Sequence, residues 1–295
     1  MQISQNTMPI ALALRNARRV LPIRGWERMF RLMFEPDSQA SYEFERRLYE
    51  GTYISNAARF IDWYALFYGA YERSNIESMR ELLSKMESPT VLDVGANTGH
   101  HSIAIGALAR QVHAFEPYRP VREILERNVA RNRHMSITVH PIALSSSNGY
   151  QRFDVPTSNN TGTGKLHPNG STEVQCRIGD DYLEEIGCSA VHMIKIDVEG
   201  HELHTLQGLR RTIARDLPLL IIEANGGAAS LRPALPPEYE FFCVSRCGLI
   251  RLRDESCGVD AFCFPSHGTH PRRTRANNVT FDRRQRFRKL LKCRS

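Results

Sequence analysis

The acids that could do chemistry in this 295-residue chain are Asp93, Glu116, Asp197 and Glu199. Asp93 sits in Val91-Leu92-Asp93-Val94-Gly95-Ala96-Asn97-Thr98-Gly99, an apolar run that ends at glycine and opens a helical pattern. Such a strand-loop-helix turn presents backbone N–H groups at the positive end of a helix, where an anionic group is held. Gly95 has no side chain, so a ligand can lie against the backbone, and Asn97 or Thr98 can cap the helix. The loop suits the amino-acid end of S-adenosylmethionine, with its carboxylate on the N–H groups and Asp93 near its cationic end. A purely structural strand-to-helix turn is the alternative for this stretch alone.

Glu116, followed by Pro117, ends the next apolar run about 20 residues on, the spacing at which an acid accepts ribose hydroxyls in nucleotide-binding α/β folds. Nicotinamide enzymes share that logic, but here Asn97 occupies the second glycine position of G-x-G-x-x-G, where a pyrophosphate needs close approach. The third stretch is Lys195-Ile196-Asp197-Val198-Glu199-Gly200-His201-Glu202. In the methyltransferase strand order this strand lies beside the one bearing Asp93, at the point where the sheet reverses and ligands bind. Methyl transfer is an in-line displacement that requires alignment, and a hydroxyl nucleophile must also lose a proton. Asp197, Glu199 and His201 are the candidates for that work, Asp197 foremost as base or orienting group. A strand-end acid and a helix-capping histidine are the ordinary readings of the same residues. The chain lacks the Asn/Asp-Pro-Pro-aromatic sequence of amino-methylating nucleic-acid enzymes and any Pro-Cys nucleophile, which favours a hydroxyl acceptor. Asp197, Glu199 and Glu223 could gather near a cation, but hydroxyl methylation does not require one; metal dependence stays open and no metal ligand is assigned.

The elements that must position these residues follow from periodicity. Apolar runs at 90–94, 111–115, 136–144, 191–196 and 217–223 alternate with helical patterns at 98–109, 121–132 and 201–215, the rhythm of a doubly wound, mostly parallel sheet. Leu219-Leu220-Ile221-Ile222 shows no alternation, as expected of a strand buried on both faces. Two further strands, 239–244 and 259–264, are expected as antiparallel neighbours. The Asn-, Gly- and Ser-rich stretch 146–178 reads as a hairpin-like insertion over the active-site face. This gives an N-terminal helical extension (1–88), an α/β domain (89–265) and a basic tail (266–295).

From Pro271 to Ser295 there are ten Lys and Arg residues against one acid, so the net charge of +7 belongs to the tail and not to the body. A solvated tail is the default, with contact to nucleic acid, an anionic membrane or acidic partners left open. Residues 1–35 interleave apolar side chains with six arginines, an amphipathic pattern that packs on the domain by default, with a membrane surface or a loose extension as the alternatives. The seven cysteines form no CxxC pair, so free thiols are expected. No apolar run reaches the roughly 20 residues that span a bilayer, and none resembles a leader, so a soluble cytoplasmic protein is expected.

These pieces together resemble the FkbM family of methyltransferases. The resemblance runs from about Gly69 to Pro265. It rests on Gly69-Ala70-Tyr71-Glu72, Val91 to Gly99, Ala114-Phe115-Glu116-Pro117, Asn128 with Asn132, Ala143-Leu144-Ser145, Asn160-Thr161-Gly162, Ile194 to Gly200, Leu206 with Gly208, and Ile221-Ile222-Glu223. It implies a class I, Rossmann-like seven-stranded fold, S-adenosyl-L-methionine as methyl donor, and O-methylation of a sugar, glycolipid or natural-product hydroxyl. Asp93, Gly95, Ala96, Asn97, Thr98, Gly99, Glu116 and Pro117 would bind cofactor, Ala143 and Leu144 would lie near the adenine, and Asp197 and Glu199 would line the active site. An NAD(P)-binding oxidoreductase and a non-catalytic binding module of the same fold are the alternatives.

Overall fold

A computed structural model describes residues 1–21, 24–156, 161–224, 227–245, 248–252 and 259–265. The basic tail, Cys247, Cys257 and Cys293 lie outside the described residues. The strands are β1 Glu43–Leu48, β2 Gly51–Asn56, β3 Thr90–Val94, β4 Gln111–Phe115, β5 Ile137–His140, β6 Ala143–Ser145, β7 Gly149–Asp154, β8 Lys165–Leu166, β9 Thr172–Ile178, β10 Met193–Ile196, β11 Leu219–Ala224, β12 Tyr239–Ser245, β13 Gly248–Arg251 and β14 Val259–Pro265. The helices are α1 Met8–Val20, α2 Trp26–Met33, α3 Phe60–Tyr68, α4 Arg73–Leu83, α5 His100–Gly106, α6 Arg119–Ala130, α7 Gly179–Glu185, α8 Glu202–Gly208 and α9 Arg210–Asp216.

The central sheet has the order β13-β12-β14-β11-β10-β3-β4-β5. From β11 to β5 the strands are parallel, and β14 lies antiparallel between β11 and β12. Seven strands are those expected from the sequence; β13 adds an edge strand by pairing back on β12. Both faces of the parallel strands are covered, which is why they read as continuous apolar runs. Val91, Met193 and Ile221 pack against Met79, Leu82 and Leu83 of α4 and Ile105 of α5. Their neighbours Leu92, Ile194, Leu220 and Ile222 feed the opposite face with Leu183, Leu206 and Ile213 of α7, α8 and α9. The order reverses beside β3, with β4 on one flank and β10 on the other, and this opens a crevice at the carboxyl ends of these strands.

Three expectations are corrected. Residues 43–56, read as helical, form the antiparallel hairpin β1–β2, with Leu48 paired to Gly51. The burial along β1 alternates strand-fashion, and its outer acids Glu43 and Glu45 pair with Arg127 and Arg131 on or just past α6. The run 136–144 is two strands in different sheets: β5 ends the central sheet, and β6 joins a second sheet ordered β6-β9-β7-β8. That sheet contains the expected insertion hairpin, β7 against β9. The helix 201–215 is broken at Leu209 into α8 and α9. Gly208 explains the tight seat of α8, because a Cβ there would fall 1.9 Å from the Ser145 carbonyl oxygen.

The N-terminal layer is fastened by apolar packing and by a polar clamp. Phe30, Phe34, Trp63, Leu66 and Phe67 bury one another, and Trp63 Nε1 donates to the Phe34 carbonyl at 2.7 Å. On α6, Asn128 Oδ1 accepts from Ile54 N at 2.7 Å while its Nδ2 donates to the Thr98 carbonyl at 2.8 Å. Asn132, just beyond the helix, accepts from Thr52 N and donates to the Thr52 carbonyl. Two side-chain amides thus pair backbone groups of β2 that no neighbouring strand could reach.

Candidate active site

At the reversal point lies a cleft, open to solvent, walled by the ends of β3, β4 and β10, by α3, and by the insertion sheet. Gly95, Ala96, Asn97, Thr98, Glu116, Pro117, Ala143, Leu144, Asp197, Glu199 and His201 all line it. Asp93 and Gly99 are not on its wall. Asp93 is fully buried behind the loop, where Ser102 of α5 donates to its Oδ2 at 2.5 Å and Lys195 Nζ lies 3.6 Å from Oδ1. Lys195 is opposite Asp93 in register, so the pair ties β10 to β3.

The loop differs in detail from the sequence reading. The residue capping α5 is Gly99, at φ +87°, and not Asn97 or Thr98. Thr98 Oγ1 instead lies 2.5 Å from the Tyr53 hydroxyl of the hairpin. Gly95, at φ +79°, is required by a close backbone approach: a Cβ there would fall 1.8 Å from the carbonyl oxygen of Asp197. Asn97 also has positive φ, 51°, which asparagine tolerates better than most residues.

Glu116 joins the loop to the second strand. Its Oε2 accepts from Asn97 N at 3.0 Å and its Oε1 from Tyr118 N at 2.9 Å. Burial pushes its pKa up to about 7, against the pull of those two N–H groups and of Arg122. Around it the wall is apolar: Ile142, Leu144, Val121, Pro117, and Tyr118 stacked on Phe153 at 5.3 Å between centroids. Phe153 comes from the insertion, so β7 helps to build this slot.

The other half of the cleft is charged. Lys195 Nζ bonds Asp197 Oδ2 at 3.0 Å. Burial would lower the Lys195 pKa, but Asp197, Asp93 and Glu72 together raise it, so the ammonium is permanent. Burial likewise works to raise the pKa of Asp197, yet Lys195 and a hydrogen bond from the Glu223 carboxyl hold it below the usual range. Glu199, at φ +53°, is shifted upward by burial and by the charges of Asp197 and Glu202. Asp197, Glu199 and Glu223 bring carboxylate oxygens within 4.8 Å of one another, the gathering that the sequence left open. His201 is held by Ser145 Oγ at 3.0 Å, stacks on His204, and has its pKa lowered to about 4 by burial and by that neighbour.

Two wall residues carry no role in the sequence reading. His101 Nε2 lies 3.2 Å from Glu72 Oε2, and both face the cleft beside Asp197 and Lys195. Glu72 belongs to the Gly69–Glu72 piece, so its position was marked in the sequence although its task was not. His101 gave no signal, because adjacent histidines at a helix start read as surface residues. Here His100 is turned inward, its Nε2 accepting from Tyr71 N at 3.1 Å, and His101 is left facing the cleft.

The sheet order, the glycine turn and the paired acids at the reversal point define a class I methyltransferase. A family model described as the methyltransferase FkbM domain matches residues 93–248. The chain belongs to the FkbM methyltransferase family, which sets the oxidoreductase alternative aside. It is 30% identical over 207 residues to the hexuronic acid methyltransferase AglP of Haloferax volcanii, an alignment covering 60% of this chain and 84% of that protein. A crystal structure of methyltransferase FkbM from Methylobacillus flagellatus KT aligns at 19% identity and a TM-score of 0.41, covering 88% of this chain and 59% of that one. A SAM-dependent methyltransferase from Agrobacterium tumefaciens aligns at 11% identity and a TM-score of 0.44, over 79% of this chain and 72% of that one. No helix among the described residues is long and apolar enough to cross a membrane.

Proposed function

We propose that this protein transfers the methyl group of S-adenosylmethionine to a hydroxyl of an acidic sugar. The observation that carries the reading is one cleft with two unlike halves: an apolar slot ending at Glu116, and beside it a charged pocket containing Asp197, Glu72 and His101. The acidic sugar is suggested by the relative that acts on hexuronic acid.

The residues fit the cofactor. Asn97 Oδ1 is buried with no partner inside the protein, an acceptor left for a ligand. Ile142, Leu144, Tyr118 and Phe153 offer flat apolar surface to an adenine, and Glu116 offers carboxylate oxygens to ribose hydroxyls. Gly95 to Thr98 bring loop backbone to the amino-acid end; Asp93 supports that loop from behind. When bound, the cofactor supplies a methyl group activated by its sulfonium for in-line displacement.

The remaining work belongs to the chain. Asp197, kept ionised by Lys195, accepts a hydrogen bond from the acceptor hydroxyl and orients its oxygen. His101, with Glu72 beside Nε2, takes the proton as the new bond forms. His201 is a poor base, because Ser145 occupies its Nε2 and its pKa is low; it shapes the wall. Glu199 lines the same charged half of the cleft as Asp197.

The test is incubation with methyl-labelled S-adenosylmethionine and a panel of methyl hexuronides and matching neutral hexosides, followed by mass spectrometry. A methyl ether on a hexuronide is expected. A methyl ester on its carboxylate, or transfer to neutral sugars alone, overturns the reading.

A further inference from the structure

Eight large apolar side chains are exposed among the described residues, and Met1, Ile10, Leu12, Val20, Leu21 and Leu32 are six of them. They concentrate in a small part of the chain, and two are almost bare: Val20 is 76% and Leu32 77% exposed. The same stretch holds six arginines and, up to residue 32, the single acid Glu27. Two of those arginines are engaged and a third is drawn inward. Arg15 is partly buried, Arg18 donates to the Phe67 carbonyl and lies over Tyr68, and Arg31 pairs with Glu27 at 3.1 Å. Arg19, Arg24 and Arg28 are exposed and enter no ion pair among the described residues.

The outward faces are therefore not the polar faces of ordinary surface helices. Helix α1 turns Ala11, Leu14, Arg15 and Arg18 toward the protein and Leu12, Asn16, Arg19 and Val20 toward solvent. Helix α2 buries Phe30 and presents Arg28 and Leu32. We propose that α1 and α2 form a docking surface for an anionic lipid bilayer, with the apolar side chains at the headgroup–acyl boundary and the arginines among the phosphates. A second copy of the chain fits poorly, because a two-fold contact sets the same arginines against one another. Nucleic acid would satisfy the arginines but leave Leu12, Val20 and Leu32 in water. The docked helices sit one layer from the cleft: α1 packs on α3, and α3 supplies Phe60 and Ile61 to the cleft wall.

The experiment is co-sedimentation of the full chain with vesicles of phosphatidylcholine mixed with phosphatidylglycerol, against pure phosphatidylcholine and against duplex DNA. Two variants are compared with wild type: R19Q/R24Q/R28Q and V20S/L32S. The basic tail is identical in all three, so its attraction cancels, and S-adenosylhomocysteine binding confirms that each variant is folded. Each arginine at an anionic surface contributes roughly fivefold to partitioning, so the triple variant should bind about a hundredfold more weakly. The apolar pair should lose about tenfold or more, because binding scales with buried apolar area. Failure of wild type to bind anionic vesicles overturns the proposal. So does unchanged binding of V20S/L32S, or a loss of duplex-DNA binding in R19Q/R24Q/R28Q that exceeds its loss of vesicle binding.

Discussion

Glu116 is where burial and ligand chemistry pull in opposite directions. Its carboxyl has a pKa of about 7 because it is buried, while the ribose contact proposed for it favours the ionised acceptor. Binding should therefore release a proton near neutral pH, and affinity for S-adenosylhomocysteine should rise as pH increases through about 7. Calorimetry in buffers of different ionisation enthalpy reads this directly. Glu116→Gln should flatten the pH dependence and weaken binding by about 2 kcal/mol, the loss of hydrogen bonds to a charged acceptor. Full affinity and an unchanged pH profile in that variant would remove Glu116 from the site. A second residue-scale prediction separates binding from chemistry. Asp197→Asn and His101→Gln should each lower methyl transfer by about a hundredfold or more. Neither substitution should change the affinity for S-adenosylhomocysteine much. A kcat unaffected in His101→Gln would return the proton to Asp197.

At the scale of elements, the polar clamp on β2 carries more than its size suggests. Asn128→Ala strands the Ile54 N–H and the Thr98 carbonyl in a buried site, at a cost of about 2–4 kcal/mol. A urea melt measures it; a loss under 1 kcal/mol would mean that water replaces the amide. Gly95→Ala should be at least as damaging, because its Cβ meets backbone and not a movable side chain. Which elements were legible follows from the same physics. The parallel strands declared themselves, since Leu219 to Ile222 must be apolar on both faces to be buried between helical layers. The hairpin at 43–56 did not, because Tyr42, Phe44, Leu48 and Tyr49 satisfy a loose helical spacing as well as an alternating one. Its true signal was the alternation of exposed Glu43 and Glu45 with half-buried Phe44 and Arg46, with Gly51 after the turn. Asn128 and Asn132 were noticed as residues, but a side chain that replaces a strand's partner has no sequence pattern. Glu72 and His101 meet across 29 positions of sequence, and only the packing of α4 beside α5 brings them together.

The whole molecule should respond to acid through its buried and half-buried imidazoles. His140 and His201 have pKa values lowered to about 4, His140 by burial and then His113, His201 by burial and then His204. The unfolded chain takes up these protons near pH 6.5 and the folded one resists, so their contribution is intact above that pH. It is lost as pH falls from about 6.5 toward 4, at about 1–3 kcal/mol for each group. Glu116 has the opposite sign: its raised pKa favours the fold at low pH and costs stability as pH climbs toward 7. Thermal melts of the ligand-free protein should therefore drop on acidification, less so in His201→Gln; equal acid sensitivity in that variant would exonerate this histidine. The cleft itself is a composite of the central sheet, the insertion through Phe153 and Lys165, and the N-terminal layer through Phe60 and Tyr71. Sequence could name the first of these contributors, while the shape supplied by the others depends on how three separate parts of the chain meet.

One consequence of the Asn128 clamp reaches past stability. A single side chain holds the amide of Ile54 and the carbonyl of Thr98, so the hairpin and the glycine loop share one latch. Opening either frees the other, and any ligand that steadies the loop must also quieten the hairpin by linkage. The amide of Ile54 would then act as a remote reporter of cleft occupancy, exchanging with deuterium more slowly when S-adenosylhomocysteine is present, although Ile54 does not lie on the cleft wall.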